Sequence, residues 1–304
     1  MVAVADPAAG PGVAARRRRR PFGGALRFLG RLFRVKLLGA FGFVVCMVFL
    51  FCGVFADVLA PYGFNQISPV NRLKPPSAKF WLGTDNLGRD MLSRCLYGAQ
   101  LSVIIGLSAA ALATVVSVFI GVVSGYLGGK FDLVLQRFVD AWMSFPDLII
   151  LIVVVSVVGP GMGPVIVILG LLYGIGGSRI IRGAVLSVRE NAYVHAAQST
   201  GASLPRILWR HILPNVMAPV IVLFTTRVGA VILAESGLAF LGLGVPPPAP
   251  TWGGMLSGSG RSFMYLAPWL ALAPGLCITI VVYAINVFGD ALRDLLDPRM
   301  RGSR

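Results

Sequence analysis

Residues 37–59 read LLGAFGFVVCMVFLFCGVFADVL, and this stretch decides the class of fold. It is a near-continuous apolar run, long enough to meet the roughly 20 residues that a helix needs to cross a bilayer's hydrocarbon core. Hydrocarbon offers backbone amides no partner, so such a run crosses as a helix that satisfies its own hydrogen bonds. Asp57 and Pro61 mark where it leaves the membrane.

Composition extends the same reading to the whole chain. Of 304 residues, 56% are hydrophobic and 13% charged, with a mean hydropathy of +0.81, whereas a soluble domain carries about 25% charged residues. Further apolar stretches follow at 101–125, 138–158, 164–186, 216–236 and 267–288. The expected fold is therefore an all-α polytopic membrane protein of six transmembrane helices. The stretch 101–125 is built on Ala, Gly, Ser and Val, small residues that let helices approach closely where lipid supplies no hydrophobic drive. The stretch 138–158 begins with Asp140, Pro146 and Asp147, and Gly159 to Gly163 form a turn too short for a domain.

The net charge of +15 raises the question of nucleic acid, and its distribution argues against it. Arg16 to Arg20 form a run, with Arg27, Arg31, Arg34 and Lys36 just before the first span. Basic residues there hold an N-terminus in the cytoplasm. With both termini inside, loop 61–100 and segment 237–266 fall outside. That arrangement puts 20 Lys or Arg inside, six outside and Arg227 within a span. A twin-arginine export signal is the competing reading of Arg19 and Arg20, but more spans follow and no clean small-residue cleavage site stands behind them.

The expected organisation is a disordered basic cytoplasmic tail over 1–35, a first span over 36–60, and an extracytoplasmic loop with a short helix over 61–100. A five-helix core follows over 101–290, then a cytoplasmic C-terminus over 291–304. Four Cys are too sparse for a disulfide framework. Cys46, Cys52 and Cys277 lie in apolar stretches as small packing residues, while Cys95, in a polar segment, reads as a free thiol. Two His and four Cys, none at ligand spacing, give no metal site.

Three groups of residues stand out. Segment 193–215, YVHAAQSTGASLPRILWRHILPN, spells a short helix, a Gly, a Pro-broken second piece and an entry into the next span. Paired Ala196 and Ala197 leave a smooth face, and Gly201 permits a sharp turn. This suits an elbow that docks into another protein, and equally an amphipathic loop lying on lipid headgroups through Arg206, Trp209 and Arg210. Second, Asp85, Arg89, Asp90 and Arg94 alternate in sign, as in a salt-bridged surface helix. Gly83, Gly88 and Gly98 fit turns or close approach there.

Third, Arg227 and Glu235 stand eight residues apart on the fifth span, within about 40 degrees of one helical face. A charge at that depth is costly unless it faces protein or water. Two readings stand, a translocation path that meets peptide termini and an internal brace. Arg137 with Asp140 reads as a clamp, and Asp290, Arg293, Asp294 and Asp297 as structural groups of the last helix. The chain has no phosphate-binding Gly-x-x-x-x-Gly-Lys-Ser/Thr loop.

The elbow string resembles the Glu-Ala-Ala loop of bacterial ABC-importer permeases. Ala196, Ala197, Gly201, Leu213 and Pro214 match that motif, and His195 stands where the family usually has Glu. Strings 82–102 (LGTDNLGRDMLSRCLYGAQLS), 125–132 (GYLGGKFD), 234–256 (AESGLAFLGLGVPPPAPTWGGML) and 288–299 (FGDALRDLLDPR) resemble the C-type permeases of dipeptide, oligopeptide and nickel importers. The resemblance covers roughly residues 30 to 300.

It implies the type I ABC-importer fold, with a coupling helix at about 190–213 that includes Tyr193 and His195. It also implies a second homologous permease, two ATP-binding subunits carrying ATP and Mg, and an extracytoplasmic substrate-binding protein. The implied place is a bacterial inner membrane, the implied cargo is a peptide or alternatively a nickel chelate, and no catalysis or cofactor is expected in this chain. The rivals are a gradient-driven secondary transporter, which lacks a visible internal repeat, and a membrane-embedded enzyme, for which no His-Glu-x-x-His or Gly-x-Ser-x-Gly string is present.

Overall fold

The computed structural model describes residue 30 and residues 32–296. Most of the expected tail at 1–35, including Arg16 to Arg20, and the end of the chain from Asp297 on lie outside the described residues. Eight main helices carry the fold: α1 (Leu37–Val54), α2 (Met91–Leu127), α3 (Gly129–Met143), α4 (Asp147–Val158), α5 (Met162–Arg189), α6 (Ala192–Ser199), α7 (Met217–Phe240) and α8 (Trp269–Leu296). Helices α1, α2, α5, α7 and α8 are each long and apolar enough to cross a membrane.

The third expected span differs from expectation. Instead of one rod over 138–158, α3 and α4 meet at an 84° bend. Pro146, at φ −61° and ψ 130°, stands in extended backbone at the head of α4. Proline has no N–H to donate and disfavours helix in the residue before it, so the chain breaks where Ser144, Phe145 and Pro146 intervene.

Packing decides that this bent pair still amounts to a crossing. A Cβ on Gly170 would lie 2.5 Å from Leu112, on Gly174 2.7 Å from Val116, and on Gly121 2.6 Å from the Ser178 carbonyl. Positions on α2 and α5 therefore rise together, and the two helices run parallel in close contact. Small residues make this approach possible, as the composition of α2 leads one to expect, and the Ser117 hydroxyl donates across it to the Gly174 carbonyl at 2.7 Å. Two parallel neighbours in one bilayer require the chain to return between them, and only α3 and α4 lie there. Among the described residues the count is six crossings, with the bent pair as one.

The remaining pairs run antiparallel. Gly39 of α1 faces Ala291 of α8 while Gly42 faces Ala284 and Phe288, and Gly229 of α7 faces Ile285 while Gly289 of α8 faces Thr225 and Thr226. The start of α1, the end of α8 and the elbow between α5 and α7 thus share one end of the bundle, called here the elbow end. Lys36 and Asp294 meet there at 2.7 Å.

At the opposite end, the loop expected over 61–100 is shorter than the sequence indicates. Its helix is the first part of α2, which begins at Met91 and is capped by Asp90. At 37 residues, α2 is about 55 Å long and projects beyond a ~30 Å hydrocarbon core.

Candidate functional site

The elbow is footed on the α2–α5 pair. Val194, Ile207, Ile212 and Val216 are buried against Val122, Ile181 and Val185, so the apolar side of each short piece faces the ends of those two helices. The Gln198 amide donates to the Tyr126 hydroxyl at 2.9 Å, and Arg189 reaches the carbonyls of Gly125 and Tyr126 at 3.3 Å. Gly201, at φ +77°, turns the chain between α6 and the 204–215 segment, in the left-handed conformation that glycine adopts without strain.

The outward side of this element is open. Tyr193, His195, Ala196 and Gly201 are exposed, Ala197 and Leu213 are half-buried, and Pro214 is exposed at the entry to α7. His195, in the place of the family's usual Glu, pairs within the element, its Nδ1 lying 3.3 Å from the Gln198 side-chain oxygen. Leu204 and Trp209 add exposed apolar surface.

A clamp beneath the elbow was not singled out from the sequence. Asp132 of α3 receives the Arg182 Nε of α5 at 2.7 Å and the Ser124 hydroxyl of α2, and Gln136 donates to Ser124 at 3.0 Å. One carboxylate thereby ties three helices together at the elbow end. Its only sequence signal is its place in the string 125–132. Arg137 and Asp140 meet at 3.3 Å as expected, and Arg179 of α5 also pairs with Asp140.

At the opposite end, the alternating charges do not form the surface helix that their spacing suggests. The Asp85 carboxylate accepts from the backbone N–H of Leu87 and Arg89 at 2.8 and 2.9 Å and from the Arg89 Nε at 2.7 Å. This is the way an Asp side chain builds a turn in place of a helix. Gly88 must be glycine, at φ +74° with the Ser68 carbonyl 1.8 Å from any Cβ. Asp90 caps α2 by accepting from Ser93 at 2.8 Å, and Arg94 donates to the Phe64 carbonyl at 3.1 Å. Gly83 lies against Trp269, whose indole donates to the Thr84 carbonyl at 3.1 Å. In this geometry the residues of the motif hold the segment before α2 together.

Within the spans, Arg227 and Glu235 are not paired with each other. Arg227 packs over the Tyr173 ring at 5.1 Å, and its Nε is buried without a hydrogen-bond partner. Glu235 is 1% exposed, and one carboxylate oxygen has no partner. Cys95, read from the sequence as a thiol in a polar segment, is instead buried in the hydrophobic core beside Trp252, where α2 has already begun.

Six crossings of parallel and antiparallel helices, with a surface elbow footed on two of them, are the architecture expected of a type I ABC-importer permease. Residues 117–302 match the family model described as the binding-protein-dependent transport system inner membrane component, and the chain belongs to that family. It is 38% identical over 264 residues to the dipeptide transport system permease of Alkalihalophilus pseudofirmus, covering 87% of this chain and 86% of that one. It is 36% identical to the oligopeptide permease of Bacillus subtilis, with 88% of each chain covered.

The fold is similar to a chain in the inward-facing structures of the MetNI methionine ABC transporter. The TM-score is 0.56 at 17% identity, covering 68% of this chain and 98% of that one. The chain is a multi-pass membrane permease subunit of an ABC importer, in a family that works with ATPase and substrate-binding partners.

Proposed function

We propose that this chain forms half of an ATP-driven import path for di- or oligopeptides, and that the 192–215 elbow couples the path to a separate ATPase subunit. The observation that carries the coupling is the two-sided build of the elbow. Its buried side rests on α2 and α5 through Val194, Ile207 and Ile212, and its other side presents Ala196, Gly201 and Leu204 to solvent. A partner gripping the exposed side moves two membrane helices, because the elbow is hydrogen-bonded to the end of α2. Amphipathic anchoring on lipid remains the rival reading of Trp209 and Arg210.

The peptide cargo is supported by the relatives named for dipeptide and oligopeptide transport. The excess of Lys and Arg at the elbow end supports a cytoplasmic elbow with both termini on the same side of an inner membrane. In this reading the chain pairs with one homologous permease, two ATP-binding subunits carry ATP and Mg, and an extracytoplasmic protein delivers the solute. No reaction is catalysed by the chain itself. Arg227 and Glu235 belong to the path, Glu235 becoming wetted only when the helices around it rearrange.

Ala196→Arg tests the coupling, since Ala196 is exposed. The tagged variant is expected to insert normally and to retain the second permease but to lose the ATPase on purification. An ATPase that stays bound to Ala196→Arg with undiminished stimulation refutes the docking face.

A further inference from the structure

Broken backbone at membrane depth needs a reason, because hydrocarbon leaves its polar groups unsatisfied unless protein or a water-filled passage covers them. The break at Ser144, Phe145 and Pro146 is exposed on this chain, and so is Asp147 immediately after it. Its depth follows from helix rise. Asp147 opens α4, which ends at Val158. Tyr173 stands about three helical turns beyond the start of α5 at Met162, and Arg227 between three and four turns before the end of α7 at Phe240.

All three helix ends lie opposite the elbow, so at 1.5 Å per residue the three side chains sit about 16 to 20 Å in from that face. This is near the middle of a ~30 Å core. They are neighbours laterally as well. Met143, at the break, lies 3.8 Å from the Cβ position of Gly176, and the Arg227 guanidinium lies 3.5 Å from that of Gly177. Arg227 also covers the Tyr173 ring at 5.1 Å. Ile150 and Leu151, one turn beyond Asp147 on α4, share a hydrophobic cluster with Tyr173 of α5 and Val231 of α7, one turn beyond Arg227.

Despite this proximity, among the described residues neither Asp147 nor Arg227 has a salt-bridge partner, whereas Asp132, Asp140 and Asp85 all do. The Nε of Arg227 is buried and unpaired. An acid and a base at one depth, not joined, beside an interrupted helix, offer two separate charged groups at mid-membrane, where ionisable residues mark a solute path.

We propose that Asp147, Tyr173 and Arg227 form a mid-depth station for a zwitterionic solute. Arg227 receives the carboxylate, for which its planar fork is suited, Asp147 receives the ammonium group, and the Tyr173 ring forms the wall beneath the guanidinium. The proposal rests on the permease reading and adds a solute class and a second charged residue to the path. A solute lacking one charged end finds one member of the station unpaired, which favours solutes carrying both.

The test uses the complete transporter in proteoliposomes, with its own ATPase and binding protein. It measures uptake of dialanine together with the ATPase activity stimulated by loaded binding protein. Arg227→Gln and Asp147→Asn are each expected to lower uptake about tenfold while stimulated ATPase stays within about twofold of wild type. The double variant Asp147→Asn/Arg227→Gln is expected to remain as slow as the singles. Recovery of uptake in the double variant identifies the two residues as a mutually neutralising brace and overturns the proposal, as does wild-type uptake in either single variant. Absence of ATP-driven uptake by the wild-type complex defeats the permease reading itself. As a second readout, Tyr173→Cys should react with a charged thiol reagent more slowly in the presence of dialanine, and no protection counts against the station.

Discussion

Adding a single methyl group to α5 probes the parallel contact on which the six-crossing topology rests. A Cβ at Gly177 would fall 2.4 Å from the Ser117 hydroxyl but 3.4 Å from the Ser117 Cβ. The clash in Gly177→Ala is therefore almost wholly with one oxygen, and that oxygen is engaged with the Gly174 carbonyl at 2.7 Å. Relieving the clash by rotating Ser117 gives up a hydrogen bond of about 1 kcal/mol, and leaving it in place strains the contact by about 1–3 kcal/mol. Alanine regains about 1 kcal/mol as the better helix former.

The net expectation for Gly177→Ala lies between neutral and a loss of about 2 kcal/mol. Ser117→Ala removes the obstructing oxygen and costs about 1 kcal/mol through the same hydrogen bond. In that background Gly177→Ala should be neutral or stabilising, because the remaining contact at 3.4 Å is close to ordinary packing. The assay is thermal unfolding of the four proteins in detergent, read as a double-mutant cycle with an expected coupling of at least about 1 kcal/mol. Additive effects in the cycle, or a Gly177→Ala variant more stable than wild type, refute the close parallel packing of α2 and α5.

Two other expectations follow from named contacts. Asp85→Ala should cost about 3–5 kcal/mol, since it leaves Arg89 and Arg94 without their buried carboxylate, and it should make the 61–90 segment sensitive to protease while α2 remains intact. Single cysteines introduced at Asn65 and His195 should react with a membrane-impermeant thiol reagent from opposite faces of sealed vesicles, Asn65→Cys from the extracytoplasmic side. Labelling of both from one face refutes the six-crossing arrangement.

What was legible in the sequence is what the solvent dictates. Long uncharged runs must be helices in a bilayer, and the bias of Lys and Arg toward one set of loops follows from the same membrane. The elbow was legible because Ala196, Ala197, Gly201 and Pro214 alter local backbone and surface within a short stretch. Its match to a family string also needed no tertiary contact. Helix existence and the elbow are local or solvent-driven properties, and a linear string carries them.

Properties set between distant residues were not legible. The third span expected over 138–158 proved to be the end of one helix and a second helix bent from it by 84°; Pro146 permits the break, but only the parallel packing of α2 and α5 shows that the broken pair crosses. The alternating charges at 85–94 suggested a helix, yet Asp85 commits its oxygens to the backbone of its own turn, a choice fixed by Gly88 lying against Ser68. Asp132 carried no signal beyond its place in the string 125–132, because its partners, Ser124 and Arg182, come from two other helices. Arg227 was noticed for its charge alone, while its neighbours Tyr173 and Asp147 belong to two other helices, α5 and α4, far back along the chain. Spacing along one helix tells which residues share a face, and only the packing of several helices tells what that face meets.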